Sequence, residues 1–378
     1  MPFQTGQNKN MKPSKIFSIL LLLSIATNSI AQSQEKYQSP FHFQIEKIQE
    51  GIYFAYRAEP LRYLVEGNST IIINEDNVLV IDATGSPQGA RQIIEEIKKM
   101  TAKPVKFLIN THGHGDHTIG NTEFVKAFPE ITIISHPETR NYLTAKEGGI
   151  NYFKDIAKSI DSRVEYINSE IKKVTEEAYP GYEAVVKNLE QYRDHDLQIR
   201  QKTYQTATIT PPNLTFENKM VLNMGKREVQ LIHLGNGDTP GDIWVYLPNE
   251  KILCSGDAIV HPIPYGFSKH GIEWLETLKK AAGINFEILI PGHGQIQKGK
   301  EYLNLYISLL EEVADQIEKS IIAGFNKEET IKKIDISAIE KKFTNGETLN
   351  RYYFDAYFKK PHFDRVFDLI KIKLEKNK

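Results

Sequence analysis

Residues 110–117 read Asn-Thr-His-Gly-His-Gly-Asp-His, which places His112, His114, Asp116 and His117 within six positions. Neutral imidazole is the commonest protein ligand for a divalent transition metal, and carboxylate is an accepted partner. His112 and His114 are two apart, so in an extended segment their rings point the same way. Gly113 and Gly115 let the backbone turn tightly while the rings converge. The chain has 11 histidines in all, so three in one hexapeptide point to a metal site rather than to a polar surface loop.

Other acids and histidines stand in the same kind of place, just after an apolar run that reads as a buried strand. The cluster itself follows Val105-Lys106-Phe107-Leu108-Ile109. Asp82 follows 78–81, Asp238 follows 228–234, Asp257 follows 251–255 and His293 follows 287–290. Strands that end on one sheet edge would bring these side chains together. Two divalent ions could then be held by distant parts of the chain.

The elements that must position them follow from hydrophobic period. Phe43 to Ile48 alternates like a strand, and Gly51 turns the chain into 52–56. Residues 69–73 and 78–82 read as a hairpin of buried strands. Gly85-Ser86-Pro87 opens a helix from Gln88 to Met100, with Ala90, Ile93, Ile94 and Ile97 on one face. Another helix starts near Asn121, and 131–135 is a strand. This alternation predicts an α/β layered fold. Residues 138 to about 205 carry Glu and Lys at helical spacing and read as two or three helices inserted over the core, broken at Pro180-Gly181. A β-rich half follows from 214 to 255, then a helix over 274–282 and a last strand at 287–290. From Tyr302 the chain reads as helical, and its aromatic stretch 352–358 reads as core.

The motif Asn110-Thr111-His112-x-His114-x-Asp116-His117 resembles the signature of the metallo-β-lactamase superfamily. Four further stretches resemble the family's in the same order: Val80-Ile81-Asp82, Gly235 to Asp242, Leu253 to Asp257, and Ile290 to Gly294. The resemblance implies a four-layer αββα sandwich of two mixed sheets flanked by helices. It implies that His112 and His114 bind a first metal and that Asp116, His117 and His293 bind a second. Asp257 bridges or binds the second, and Asp82 orients the histidine loop. The family uses two divalent ions, most often zinc. They make hydroxide available near neutral pH, and Asp116 orients the nucleophile and takes its proton.

One position departs from the family. The third ligand of the first metal is usually histidine, and here it is Asp238. Three readings stand: Asp238 binds directly, His233 takes its place, or the first site is weak or empty. Direct ligation is preferred, because aspartate is an allowed ligand type. It makes the site harder and moves its preference toward manganese or iron. His261 and Tyr265, just after the Asp257 strand, are candidate substrate-binding residues; His261 reads equally as pocket wall or surface. His136 reads as structural or as support for the site. His42, His195, His270 and His362 read as surface residues, and Cys254 as a buried structural thiol.

The activity implied is hydrolysis of an amide, ester or lactone/lactam bond in a small molecule, as in a β-lactamase. Two alternatives remain: a glyoxalase II-type thioesterase, and a binding protein that keeps the fold but turns over little because of Asp238. The 47 basic and 48 acidic residues give a net charge of −1, which offers no field for nucleic acid or an anionic membrane. A single cysteine excludes internal disulfides. Lys9, Lys12 and Lys15 precede an apolar run, Ile16 to Ala26, and Ser29-Ile30-Ala31 offers small residues for a peptidase. The expected organisation is a signal peptide over 1–31, cleaved after Ala31, and a linker over 32–40. The metallo-β-lactamase-like domain would then span 41–300, with a helical extension over 301–378 packed on it. The mature protein would be periplasmic or secreted, with no stable membrane anchor.

Overall fold

Strand alternation divides the apolar residues between two faces. In β4 (Val78–Ile81), Leu79 and Ile81 join one apolar cluster while Val78 and Val80 join another on the opposite side. The structure, a computed structural model, describes residues 42–57, 66–145, 149 and 159–376. All of these belong to the second of two compact units, residues 40–378. The expected signal peptide and linker lie outside the described residues.

The first sheet has seven strands, each lying beside its neighbour in sequence. They are β1 (Gln44–Gln49), β2 (Ile52–Tyr56), β3 (Ser69–Ile73), β4, β5 (Val105–Ile109), β6 (Thr132–Ser135) and β7 (Leu214–Thr215). β1 to β4 pair antiparallel, whereas β4, β5, β6 and β7 run parallel. The short strand at 214 thus completes the first sheet rather than starting the second. The second sheet comprises β8 (Lys219–Met224), β9 (Arg227–Ile232), β10 (Trp244–Leu247), β11 (Ile252–Cys254), β12 (Ile288–Ile290) and β13 (Gln297–Lys298), in the order β13-β12-β11-β10-β9-β8. Only β11 and β12 are parallel there.

The sheets face each other through Leu79, Ile81 and Ile109 on one side and Val229, Leu231, Val245 and Leu247 on the other. The outer face of the first sheet is covered by the helix Pro87–Met100, which buries Ala90, Ile93, Ile94 and Ile97. Its start is set by Ser86, whose hydroxyl accepts from Gly89 N, with proline at the first turn. Burying each such isoleucine stabilises by about 1.5–3 kcal/mol.

The outer face of the second sheet is covered more heavily. Trp244, Leu253 and Leu289 meet Trp274 and Leu278 of the helix Gly271–Ala282, and Leu303 and Tyr306 of the helix Glu301–Ile322. The same cluster takes in Ile167, Val185 and Leu189 from the helices Ile160–Glu176 and Tyr182–Gln191. The break between those two helices falls at Pro180-Gly181, where Gly181 takes a φ of 73°. Tyr353, Phe354 and Phe358 are fully buried there too. His362 is also buried, contrary to the surface position expected of it, and stacks on Phe358. It lies on the helix Lys360–Lys376, one turn after Phe358, so the aromatic face carries it inward.

Candidate metal centre

Parallel pairing sets the distance between the motifs. Ile81 of β4 pairs with Ile109 of β5, so Asp82 emerges beside the start of the histidine loop. Asp82 N donates to Ile109 O at 2.8 Å. Its carboxylate accepts from Thr111 N at 2.8 Å and from Thr111 Oγ1 at 2.7 Å. In the second sheet Cys254 of β11 pairs with Ile290 of β12. Asp257 and His293 each follow three residues later, and so leave the same edge together. Gly292 lies between them, and a Cβ there would come 2.0 Å from Asp257 Oδ1.

Asp238 is placed by a different device. The Asp242 carboxylate accepts from Asp238 N at 2.7 Å and from Thr239 N at 2.9 Å, closing a tight turn. The next residue, Ile243, donates its N–H to Thr111 O at 2.9 Å, tying this turn to the histidine loop. Asp238 Oδ2 then lies 3.0 Å from His114 Nδ1.

Two groups result, His112, His114, Asp238 and Asp257, and Asp116, His117, Asp257 and His293. Within each, one ligand atom per residue lies within 4.8 Å of the others, and Asp257 belongs to both. Its Oδ1 is 3.1 Å from His117 Nε2, and its Oδ2 is 3.3 Å from His293 Nε2 and 3.7 Å from His112 Nε2. All seven residues expected to bind metal are therefore together, and His233 is not among them. His233 instead bonds through Nδ1 to Asp242 O at 2.9 Å and stacks on His136, which caps the helix Pro137–Thr144.

The hydrogen bonds around the rings fix what each offers. His117 Nδ1 meets Asp82 Oδ2 at 2.9 Å, and His293 Nδ1 meets Glu66 O at 2.8 Å. Both partners only accept, so both Nδ1 atoms carry the proton. The two Nε2 atoms are left facing each other at 3.3 Å. Thr111 gives its hydroxyl proton to Asp82 and therefore accepts from His112 Nδ1, 3.1 Å away. His112 Nε2 is then a buried lone pair, and it has no hydrogen-bond partner. Converging lone pairs and carboxylates, with the distal ring nitrogens of His112, His117 and His293 anchored, suit divalent cations, and the residues fit such ions.

The electrostatics agree. Burial would lower the pKa of His117, but Asp257 and Asp82 outweigh it and hold it well above its usual value. Against the same burial, Asp238 lifts His114 and Asp257 lifts His293, each to about 9. His112, with burial dominant, is pushed well down. Asp257 and Asp116 stay below the usual carboxylate range despite burial, held there by neighbouring histidines. Without a metal, protons take the place of cations in this cluster, and metal binding displaces them.

A family model described as the metallo-beta-lactamase superfamily matches residues 62–293. The chain belongs to the metallo-beta-lactamase superfamily. All seven residues of the two groups fall inside the matched stretch. This superfamily member is 22% identical over 276 residues to a linear primary-alkylsulfatase of Pseudomonas sp. (strain ATCC 19151), covering 69% of this chain and 48% of that protein. The chain thus spans about half the length of that relative. It is 22% identical over 248 residues to the probable metallo-hydrolase YflN of Bacillus subtilis (strain 168), covering 61% of this chain and 80% of that one. Among solved structures, it shares its fold with the sec-alkylsulfatase Pisa1 from Pseudomonas sp. at 15% identity and a TM-score of 0.60, over 86% of this chain and 50% of that one.

A cavity of about 1420 Å³ opens on the centre, with His114, Asp116, Asp238 and Asp257 in its wall. Tyr265 also lines it and lies 5.4 Å from the His293 ring. His261 is not among the lining residues; its N–H donates to His293 O at 3.1 Å and its ring packs edge-on to Tyr302. Burial pushes the Cys254 thiol up to about 12, as expected of a structural cysteine. Two contributors escape a reading of the sequence. Glu66 acts through its backbone carbonyl, which leaves no trace in residue type. Asp242 lies inside a recognised loop, and its signal was an acid four residues after Asp238.

Proposed function

We propose that the chain is an exported hydrolase that uses two divalent ions to cleave an ester, amide or lactone/lactam bond of a small molecule. The observation that carries this is the pair of four-residue groups sharing Asp257 at the end of a large cavity. Ions held there supply a hydroxide nucleophile near neutral pH and polarise the bond under attack. Asp116 Oδ2 faces His293 Nε2 at 3.1 Å, and its carboxylate is partly open to the cavity. Held ionised by His117 and His293 despite burial, it accepts the proton of the attacking water and returns it to the leaving group. Asp82 and Glu66 keep His117 and His293 in the tautomer that presents Nε2. Asp238 makes the first group more anionic than a histidine would, which favours a harder ion such as manganese or iron beside zinc. Export is supported by the basic and apolar segments before Ala31.

The test is metal analysis with turnover. About two equivalents of metal per chain, with p-nitrophenyl ester or nitrocefin hydrolysis abolished by a chelator and restored by added ions, is the expected result. Less than one equivalent would sink the two-ion reading. A second reading is sulfate-ester hydrolysis, favoured by the similarity to two alkylsulfatases, one by sequence and one by fold. Release of sulfate from dodecyl sulfate without cleavage of carboxylic esters would select it.

A further inference from the structure

Arg200 stands on the helix Leu197–Thr206, one turn before Tyr204. Its guanidinium lies over the Tyr204 ring, 5.1 Å from the ring centre. Its Nη1 donates to the Tyr192 hydroxyl at 3.1 Å. Nε is buried and has no hydrogen-bond partner. The groups that favour its charged form are the two tyrosines, and no carboxylate of the described residues pairs with it. A guanidinium does not shed its proton, and a charge withdrawn from water is costly until an opposite charge meets it.

The location gives that cost a purpose. Arg200 and Tyr204 line the same cavity as His114, Asp116, Asp238 and Asp257. Tyr204 packs on Ile119, two residues beyond His117, so the arginine is held beside the metal loop. Elsewhere in that cavity Tyr265, Phe267 and Tyr357 contact one another at 5.3–6.0 Å between ring centres. The cavity therefore offers reacting groups, an apolar aromatic surface and, beside the metal loop, a guanidinium whose Nε is buried and unpartnered.

We propose that Arg200 receives a carboxylate of the substrate, separate from the bond that is cut, so that the substrate is an anionic amphiphile whose apolar body lies along Tyr265, Phe267 and Tyr357. This names the substrate class of the hydrolase proposed above and rests on that reading.

The experiment is calorimetry of the full-length, metal-loaded protein with 4-phenylbutyrate and with its neutral amide, 4-phenylbutanamide. A hydrogen-bonded charge pair predicts about tenfold or greater preference for the carboxylate. Arg200→Gln removes that preference and leaves the amide affinity and the metal content within about twofold. Arg200→Lys keeps part of the preference, and it carries the comparison if the glutamine variant fails to fold. Equal affinity for the two probes, or binding of neither, overturns the proposal. So does a preference that survives Arg200→Gln, because the carboxylate then goes to the metal centre or to another cation of the cavity wall, such as Arg163 or Lys173. Turnover of a neutral p-nitrophenyl ester reports separately on the hydrolase. Its absence with the preference intact refutes the hydrolase and leaves the receptor. Its presence with no preference refutes the receptor alone.

Discussion

Thr111→Val tests whether the two groups are tuned independently. Valine keeps the shape of threonine, which matters because Gly256 packs directly against this side chain. The change removes one hydroxyl that both accepts from His112 Nδ1 and donates to Asp82 Oδ2. Asp82 keeps Thr111 N and His117 Nδ1 as donors, so the His117 ring stays anchored. His112 is fully buried and is left with an Nδ1 proton that nothing accepts. An unsatisfied buried donor costs about 1–3 kcal/mol. The ring can escape that cost only by moving the proton to Nε2, which is the atom that faces the cluster. Either way the first group loses about 10–100-fold in metal affinity, the scale seen when the support of a metal-binding histidine is removed. The second group, whose rings rest on Asp82 and Glu66, keeps its affinity. Competition of each metal equivalent against a fluorescent chelator reads the two groups separately. Equal weakening of both equivalents, or of neither, refutes the argument that Thr111 sets the His112 tautomer.

Three further outcomes follow from single contacts. Asp238→His should move the first group toward zinc over manganese by about tenfold in a competition assay; unchanged metal content and turnover would show that Asp238 is not a ligand. Gly292→Ala should lower the melting temperature, because a Cβ would come 2.0 Å from Asp257 Oδ1 and overpacking costs about 1–3 kcal/mol; a melting curve and metal content equal to wild type would contradict the contact. His362→Phe should flatten the acid limb of stability. Burial pushes His362 down to about 3, whereas an unfolded histidine titrates near 6.5. Above about pH 6.5 neither state is protonated. As pH falls from 6.5 toward 3 the unfolded chain gains a proton that the folded one refuses, which lowers stability by about 1.4 kcal/mol at pH 5.5. Denaturant curves of both proteins at pH 5.5 and 7.5 should show a smaller pH difference for the variant; an equal difference would mean that His362 is not the group responsible.

The parts of the site that were legible in the sequence are those where residue type does the work. His112, His114 and His117 announce themselves by spacing, and Asp257 and His293 by standing just past apolar runs that turn out to be paired parallel strands. Leu79 and Ile81 against Val78 and Val80 show the same directness in the fold, since period two allows only one division of faces. What was not legible depends on partners that the sequence does not name. Glu66 matters through a carbonyl every residue possesses. Leu214 and Thr215 look like the start of the second sheet, yet they pair with β6, a choice made by chain path rather than by propensity. His362 is polar by type and buried by helical phase, one turn from Phe358. Arg200 is one of many basic residues in a helical stretch, and its stacking on Tyr204, its buried Nε and its lack of a carboxylate partner among the described residues separate it from a solvated surface charge.

The division between shared and particular parts of the molecule runs along the same line. Every residue of the two donor groups lies within the stretch matched to the superfamily, and all but Asp238, which the Asp242 turn places, follow the ends of paired strands. The aromatic wall facing them comes partly from elsewhere. Tyr352 and Tyr357 stand beyond residue 293, on the C-terminal helices, and Tyr357 contacts Tyr265 at 5.3 Å. Those helices reach the cavity because they share one apolar cluster with Trp274 and with the inserted helices that carry Val185 and Leu189. A substitution in that cluster would therefore move the walls without touching a single donor atom. Selectivity can change there while the chemistry is preserved, because the strand-end loops answer to backbone pairing in the sheets and the walls answer to side-chain packing outside them.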